Sequence, residues 1–219
     1  MKYVLGVDEA HRGNLIGSVF AGAVLLPYGE YVAGVTDSKK MKEKARIEAL
    51  PRIIEQATSV GYSFATAGEI DRMNIRLAVH MAMMRAINRL CRSSLKKPIP
   101  KGSTIEVVID GSDPFLKLDV QTLFYALEYT TMKHALESID PKFTIRTMVK
   151  ADVEVPAVSA ASVVAKVNAD ETLCQHPQAE LFEFSKNKGY ATKRLVELIH
   201  EHGKPKDYRE SFNLPSIKR

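Results

Sequence analysis

The sequence predicts an α/β layered domain, a central sheet with helices packed on it. Short apolar runs at residues 3–7, 19–26 and 105–109 have the length of buried strands. Between them lie stretches with apolar residues three or four apart, the spacing of a helix that buries one face. Strands come mostly first, helices crowd the second half, and the two alternate in between. The chain has 219 residues, 45% hydrophobic and 26% charged, which suits one domain or one domain with a small appendage and excludes a wholly disordered chain. That length is ample for a sizeable core.

Taken in order, residues 3–7 form a short buried strand and residues 19–26 (VFAGAVLL) a second, whose glycine and alanines permit close packing. Residues 41–57 carry a helical rhythm, and 59–67 fit a third strand. From Glu69 to Cys91 the apolar positions Ile70, Met73, Leu77, Met81, Met84, Ile87 and Cys91 define one long amphipathic helix. The methionines there read as helix core. Ser93 to Gly102, with three lysines and two prolines, is an exposed loop. Ile105–Ile109 is a strand ending in Asp110-Gly111. Val120–Ile139 is helical, Phe143–Val149 a further strand, and Pro156–Thr172 a small-residue helix with proline near its start, where a missing N–H is harmless. Helical patterns follow at 178–186 and 192–202. The segment from Gly203 has no clear period and is expected to wrap the body or form a small subdomain.

Several classes are excluded. No apolar run approaches the ~18 residues of a membrane span. The N-terminus reaches Asp8-Glu9 too soon for a signal-peptide core. Cys91 and Cys174 have no CxxC spacing, so a disulfide scaffold or cysteine zinc site is not expected and a reducing, cytoplasmic setting is. His134, His176, His200 and His202 share no metal spacing. The net charge of +5 permits nucleic acid as a partner without demanding it.

The acids are the informative feature. Asp8-Glu9 follows the first strand and Asp110 another, both at the carboxyl ends where open α/β sheets gather ligands. Apolar residues precede each, and a carboxylate there is costly to desolvate unless paired, hydrogen-bonded or bound to a cation. Neighbouring carboxylates raise one another's pKa, and a hard divalent cation such as Mg²⁺ removes that conflict. Two such ions can activate water and steady the leaving oxygen of a phosphodiester. The plainer alternative is that Asp8 caps a turn and that Asp110-Gly111 is a turn pair.

Beyond single acids, an ordered set of motifs resembles type 2 ribonuclease H, also called ribonuclease HII. Asp8-Glu9-Ala10-His11-Arg12-Gly13 resembles its DEAGRG signature and Asp37-Ser38-Lys39-Lys40 its DSKK element. Glu69-Ile70-Asp71 with Asn74-Ile75 and Ala78 resembles its EID helix start, and Ile109-Asp110-Gly111 its strand-end DG. Lys150-Ala151-Asp152 followed by Val158–Lys166 (VSAASVVAK) resembles the KAD…VSAAS block. Gly189-Tyr190-Ala191-Thr192 and Arg209-Glu210-Ser211-Phe212 resemble its GYxT and RxSF elements. The matches keep one order from residue 4 to residue 212.

The resemblance implies a ribonuclease H-like fold, with a catalytic domain over residues 1–176 and a C-terminal helical extension over 177–219 completing the substrate groove. It implies a metal-dependent endoribonuclease, using Mg²⁺ or Mn²⁺, that cuts the RNA strand of RNA/DNA hybrids or a ribonucleotide embedded in duplex DNA and leaves 5′-phosphate and 3′-hydroxyl ends. By the same resemblance Asp8, Glu9, Asp110 and Asp152 are the catalytic, metal-binding carboxylates. His11, Arg12 and Gly13 read the ribose 2′-hydroxyl through their backbone, the group that separates RNA from DNA. Ser38, Lys39, Lys40 and Lys166 are phosphate or loop anchors, and Tyr190 packs on the deoxyribose of the next nucleotide. Asp170 is a supporting residue outside the quartet. A monomer is expected, with no membrane partner; a sliding clamp is a possible partner, though Ser211–Arg219 offers no support for one.

The sequence also departs from the family pattern. His11 replaces the first glycine of GRG, so a positive φ there would cost on the order of 1 kcal/mol or more. Its imidazole would then bind phosphate, crowd the ribose or do nothing. Junction cleavage weaker than with glycine is expected. Ala169 replaces the arginine of RD, and Leu195 and Tyr208 replace histidines. Two other functions are weighed: a catalytically weakened nucleic-acid-binding relative, which the intact quartet argues against, and another two-metal nuclease or integrase, which the DSKK and VSAAS elements do not fit.

Overall fold

The computed structural model describes residues 1–36, 40–93, 95, 98–112, 123–140 and 142–216, with side chains at 123–125 outside that description. Its sheet comprises β1 (Lys2–Ala10), β2 (Val19–Pro27), β3 (Ser59–Ala65), β4 (Thr104–Asp110) and β5 (Thr144–Met148) in the order β3-β2-β1-β4-β5. β1, β2 and β3 form an antiparallel meander, and β4 and β5 add parallel to β1. The helices are α1 (Glu43–Gln56), α2 (Ala67–Met73), α3 (Ile75–Arg92), α4 (Leu123–Glu137), α5 (Ala151–Glu154), α6 (Pro156–Cys174), α7 (Phe184–Asn187) and α8 (Lys193–His202). The layered α/β class expected from the sequence is therefore the observed one.

Period-two alternation divides the sheet between two cores. Tyr3, Leu5 and Val7 of β1 and Ile105, Val107 and Ile109 of β4 face α3 and α4. Val4, Val24 and Val108 face α1 and α6. The second core is thin because α6 is built of alanine, serine and valine and lies almost on the strands. A β-carbon at Gly6 would sit 2.2 Å from the Ala157 carbonyl carbon, and one at Gly22 2.2 Å from Ala161 O. Glycine is what lets this helix approach, and the approach brings its side chains level with the end of β1.

The long helix expected from Glu69 to Cys91 is two helices. Asn74 turns the chain at φ 75°, ψ 162°, a region otherwise nearly restricted to glycine, and its Oδ1 accepts the Leu77 amide at 3.1 Å to cap α3. Thr66 and Glu69 form a reciprocal capping box at the start of α2. Apolar spacing alone ran through the break because both helices bury the same side. Of the helical pattern at 178–186, only the last part is helix. Residues 177–183 are turns, and left-handed Glu183 (φ 52°) precedes α7. The apolar rhythm there reflects the burial of Phe182 and Phe184 rather than a helical face. The helical reading from Val120 begins outside the described residues.

The tail wraps the body. Tyr208 bridges to Ile16, the Arg209 amide donates to Leu15 O at 2.9 Å, and Leu15, Ile16, Leu173, Phe182, Phe184, Leu195, Leu198, Ile199 and Tyr208 form a third core. The carboxylate of Asp71 accepts the amides of Glu210 and Ser211 and the Ser211 hydroxyl at 2.7–3.0 Å. Cys91 and Cys174 are free thiols. Among the described residues, no helix is long and apolar enough to cross a membrane.

Candidate active site

Pleat geometry decides which acids meet. Val7 of β1 lies opposite Ile109 of parallel β4, so the next residues, Asp8 and Asp110, emerge side by side on the α6 face. The β5–α5 turn, with Lys150 left-handed at φ 60°, returns Asp152 to the same place. Oxygen atoms of Asp8, Asp110 and Asp152 lie within 4.8 Å of one another, and Asp8 and Asp152 are buried. Glu9, one residue along the pleat, points to the opposite face. It borders a cavity with Val79, His80 and Met83 of α3 and pairs with Arg12 at 3.5 Å. It also lines the main cleft beside Asp8 and Asp110, but it is not part of the tight triad.

The electrostatics show what the cluster lacks. Burial pushes the Asp8 carboxyl well above the usual range, and the Glu9 and Asp110 carboxylates push it further, against a hydrogen bond from Ser162. Burial raises Glu9 as well, with Arg12 opposing and Asp110 adding. Acids that are hard to ionise together, with convergent oxygens, form a donor set for a hard divalent cation, whose charge would reverse those shifts. The residues present therefore fit Mg²⁺ or Mn²⁺.

A cleft of about 460 Å³ opens over Asp8, Glu9 and Asp110 and is also lined by His11, Arg12, Gly13, Lys166 and Tyr190. Eight of the twelve residues expected to form the site thus line one cavity, and Asp152 completes the acid triad with Asp8 and Asp110. Ser38 and Lys39 lie outside the described residues. Lys40 is described, and it is exposed.

His11 does have positive φ, at 63°, and it lines the cleft, with its Nε2 on Asp170 rather than on the Asp8, Asp110 and Asp152 cluster. It is 3% exposed, and Nε2 lies 2.7 Å from Asp170 Oδ1 on α6. Burial lowers the imidazole pKa, with Asp170 opposing and the Lys166 charge adding to the fall, so the neutral ring donates its Nε2–H to the carboxylate. A left-handed non-glycine residue costs roughly 1–2 kcal/mol. A hydrogen bond to a charged group is worth about 1.5–3 kcal/mol, enough to offset it. Asp170 also accepts from Lys166 Nζ at 2.9 Å and has Arg46 at 3.8 Å. Burial alone would raise its pKa, yet these donors hold it below the ordinary range.

From the other side the same turn is held by the tail. The fully buried Arg209 guanidinium donates to three main-chain oxygens: Gly17 (Nε, 2.8 Å), Arg12 (Nη1, 2.9 Å) and His11 (Nη2, 2.8 Å). Burial pulls its pKa down to about 10. Tyr190 is 40% exposed at the rim, with its ring edge-on to His11 at 6.0 Å between centroids and Lys166 Nζ 5.3 Å from its own centroid.

Sequence reasoning missed Arg46 and Ser162 as cleft residues and gave Arg209 no role. Arg46 carries no strand-end signal, and Ser162 sits within the small-residue run, where its serine looks like packing. The partners of Arg209 are backbone atoms almost 200 positions away, which side-chain identities do not reveal.

The sequence model of the Ribonuclease HII family matches residues 5–215. A curated Ribonuclease HII of Vibrio parahaemolyticus is 35% identical over 216 residues, 96% of this chain and 84% of the relative. Among solved structures, the ribonuclease H2 of Pyrococcus horikoshii superposes with a TM-score of 0.64 at 23% identity, covering 97% of this chain and 94% of that one. The PCNA:RNase HII complex from Archaeoglobus fulgidus gives 0.63 at 23% identity, covering 96% and 92%. Bst-RNase HIII in complex with Mn²⁺ gives 0.52 at 17% identity, covering 92% and 63%. At these identities the structures speak for a shared fold.

Proposed function

Since the chain belongs to the ribonuclease HII family, we infer that it is a ribonuclease H whose cleft performs divalent-metal-dependent cleavage at ribonucleotides in a duplex. The substrate is the RNA strand of an RNA/DNA hybrid or a ribonucleotide embedded in DNA, and the products carry 5′-phosphate and 3′-hydroxyl ends. The carrying observation is the convergence of Asp8, Asp110 and Asp152 oxygens within 4.8 Å beneath a cleft lined by His11, Arg12, Gly13 and Tyr190. Bst-RNase HIII, similar in fold, is known in complex with Mn²⁺, which supports a divalent cation as the cofactor.

Asp8, Asp110 and Asp152 would hold Mg²⁺ or Mn²⁺, with Glu9 reaching it from the other face of β1. When bound, such ions supply a more acidic water and a stabilised leaving oxygen. The chain's own residues supply the rest. The His11-Arg12-Gly13 backbone reads the 2′-hydroxyl, which is recognised rather than used as nucleophile, so no catalytic histidine pair is required. Lys166, on the cleft wall, would meet a phosphate, and the exposed Tyr190 ring would pack on the next deoxyribose, roles supported by their place in the cleft lining. Ser38 and Lys39 serve as further phosphate anchors, a role resting on the resemblance alone. Residues 177–219 complete the groove as a C-terminal extension of the 1–176 catalytic domain, packed onto it through a core that joins Phe182, Leu195 and Ile199 to Leu15, Ile16 and Leu173. The protein works as a monomer in the cytoplasm.

The test is incubation with a duplex holding one ribonucleotide and, separately, with a uniform hybrid, each with Mg²⁺ and with EDTA. Cleavage at the ribonucleotide that leaves 3′-hydroxyl and 5′-phosphate ends, abolished by EDTA, is expected; cleavage of an all-DNA duplex, or none of either substrate, would refute the reading. The buried position of His11 removes the crowding that would have favoured a weakened binding relative.

A further inference from the structure

Of the residues around the cleft, one anion stands behind three of its donors. Asp170 does not line the cleft, but His11, Lys166 and Arg46 do, and each reaches it: Nε2 at 2.7 Å, Nζ at 2.9 Å and Nη2 at 3.8 Å. His11 is the member that belongs to the main-chain turn facing the substrate. Its left-handed φ of 63° would ordinarily be left to glycine. Glycine would allow this conformation but would not hold it, whereas a ring anchored 2.7 Å from a buried carboxylate fixes the turn. The same ring is edge-on to Tyr190, so one contact sets both the turn and the aromatic rim.

We propose that the His11–Asp170 pair is a positioning device for substrate discrimination: Asp170, acting through the His11 ring, locks the 11–13 turn and the Tyr190 ring in the arrangement that distinguishes a ribonucleotide from a deoxyribonucleotide. This rests on the function proposed above. Neither residue touches the reacting atoms. The histidine is thus an alternative to glycine that exchanges permissiveness for rigidity, the reverse of the handicap expected from its sequence position alone.

The experiment measures Kd for two duplexes of one sequence, one all-DNA and one with a single ribonucleotide, in Ca²⁺ to hold cleavage back. The proteins are the full chain and its His11→Gly, His11→Gln, Asp170→Ala and His11→Gly/Asp170→Ala variants. The Kd ratio should fall by about tenfold in His11→Gly, equivalent to ~1.4 kcal/mol, the loss falling mainly on the ribonucleotide-containing duplex. His11→Gln, which keeps an amide donor for Asp170, should recover part of the ratio. Asp170→Ala should lower the ratio in the parent but not further in His11→Gly, because the two act as one unit. Thermal melts of each variant identify any loss of fold, which would depress both affinities together and leave the ratio standing. A parent ratio well above one that persists in both His11→Gly and His11→Gln overturns the positioning role alone. A parent ratio of one overturns the proposed function and this inference with it.

Discussion

The main-chain amide of Ala151 donates to Oδ1 of Asp110 at 2.8 Å, so the carboxylate that ends β4 is aimed by the turn that carries Asp152. The Asp152 amide approaches the same oxygen at 3.4 Å, and the Gly111 amide donates to Met148 O at 3.0 Å, which keeps the ends of parallel β4 and β5 level. Two acids 42 positions apart are thereby tied together through the backbone of the turn.

This arrangement separates charge from architecture. In Asp110→Asn the side-chain oxygen still accepts the Ala151 amide, so the turn should persist while the anionic cation ligand is lost. Asp8→Asn should likewise keep the strand. Each variant is expected to lose cleavage by about a thousandfold, roughly 4 kcal/mol of transition-state stabilisation. Duplex binding should stay near the parent's, because phosphate contacts dominate affinity. Near-parental turnover in Mg²⁺ would remove that residue from the metal site.

The raised pKa values of Asp8 and Glu9 give a pH signature. Their protonated forms favour the folded state. That contribution is complete below the ordinary values of 3.8 and 4.5 and is lost as pH rises through the higher folded values. In EDTA these two groups should therefore lower the melting midpoint as pH rises above the ordinary carboxylate range. The Mg²⁺-induced gain in midpoint should grow over the same range, because the ion binds the ionised form. Asp8→Asn isolates the effect: the parent-minus-variant difference in EDTA should become more unfavourable to the parent with pH. A difference flat in pH would mean the acids ionise freely without a cation.

Arg209 offers a test of the tail. Its replacement by alanine leaves the carbonyls of Gly17, Arg12 and His11 without their donor in a buried place, each worth about 1–3 kcal/mol if water does not enter. A loss of about 3–5 kcal/mol in urea denaturation is expected, with Arg209→Lys recovering part of it. A loss under about 1 kcal/mol would show that water replaces the guanidinium readily.

Much of this was legible in the chain, for identifiable reasons. Five strands fell close to their predicted positions: β1, β2 and β4 are apolar runs, whereas β3 and β5 are mixed segments rich in β-branched and aromatic residues. Asp8 and Asp110 stood out because they end apolar runs. Asp152 did not, since it lies on a four-residue helix after an edge strand, and only the KAD resemblance singled it out. The break at Asn74 was missed because its backbone state leaves no mark on apolar spacing. Asn74→Ala should cost about 1–2 kcal/mol through the lost cap and retained strain. Asn74→Gly should cost less, since glycine meets that φ freely and loses only a few tenths of the capping energy. Equal costs for the two would argue that the strain is not stored there.

Tyr190 carries the last expectation. Its backbone is fixed independently of the ring: its amide donates to Asn187 O at 3.0 Å, and Gly189 O accepts the Leu15 amide at 2.8 Å. Truncating the side chain should therefore leave the turn in place and expose only what the ring does. That ring lines the cleft near Lys166 and His11 and is 40% exposed. An embedded ribonucleotide always presents a deoxyribose on its 3′ side, and an apolar ring packs on a sugar lacking the 2′ oxygen. A uniform hybrid presents another ribose there, where the contact is poorer. Tyr190→Ala should lower kcat/KM on the one-ribonucleotide duplex by about ten- to a hundredfold, or ~1.4–2.7 kcal/mol, and lower it less on the hybrid. Tyr190→Phe should behave nearly as the parent on both, because the hydroxyl is not part of the stacking face. Equal losses on the two substrates in Tyr190→Ala would make the ring a structural brace for Lys166 and His11 instead.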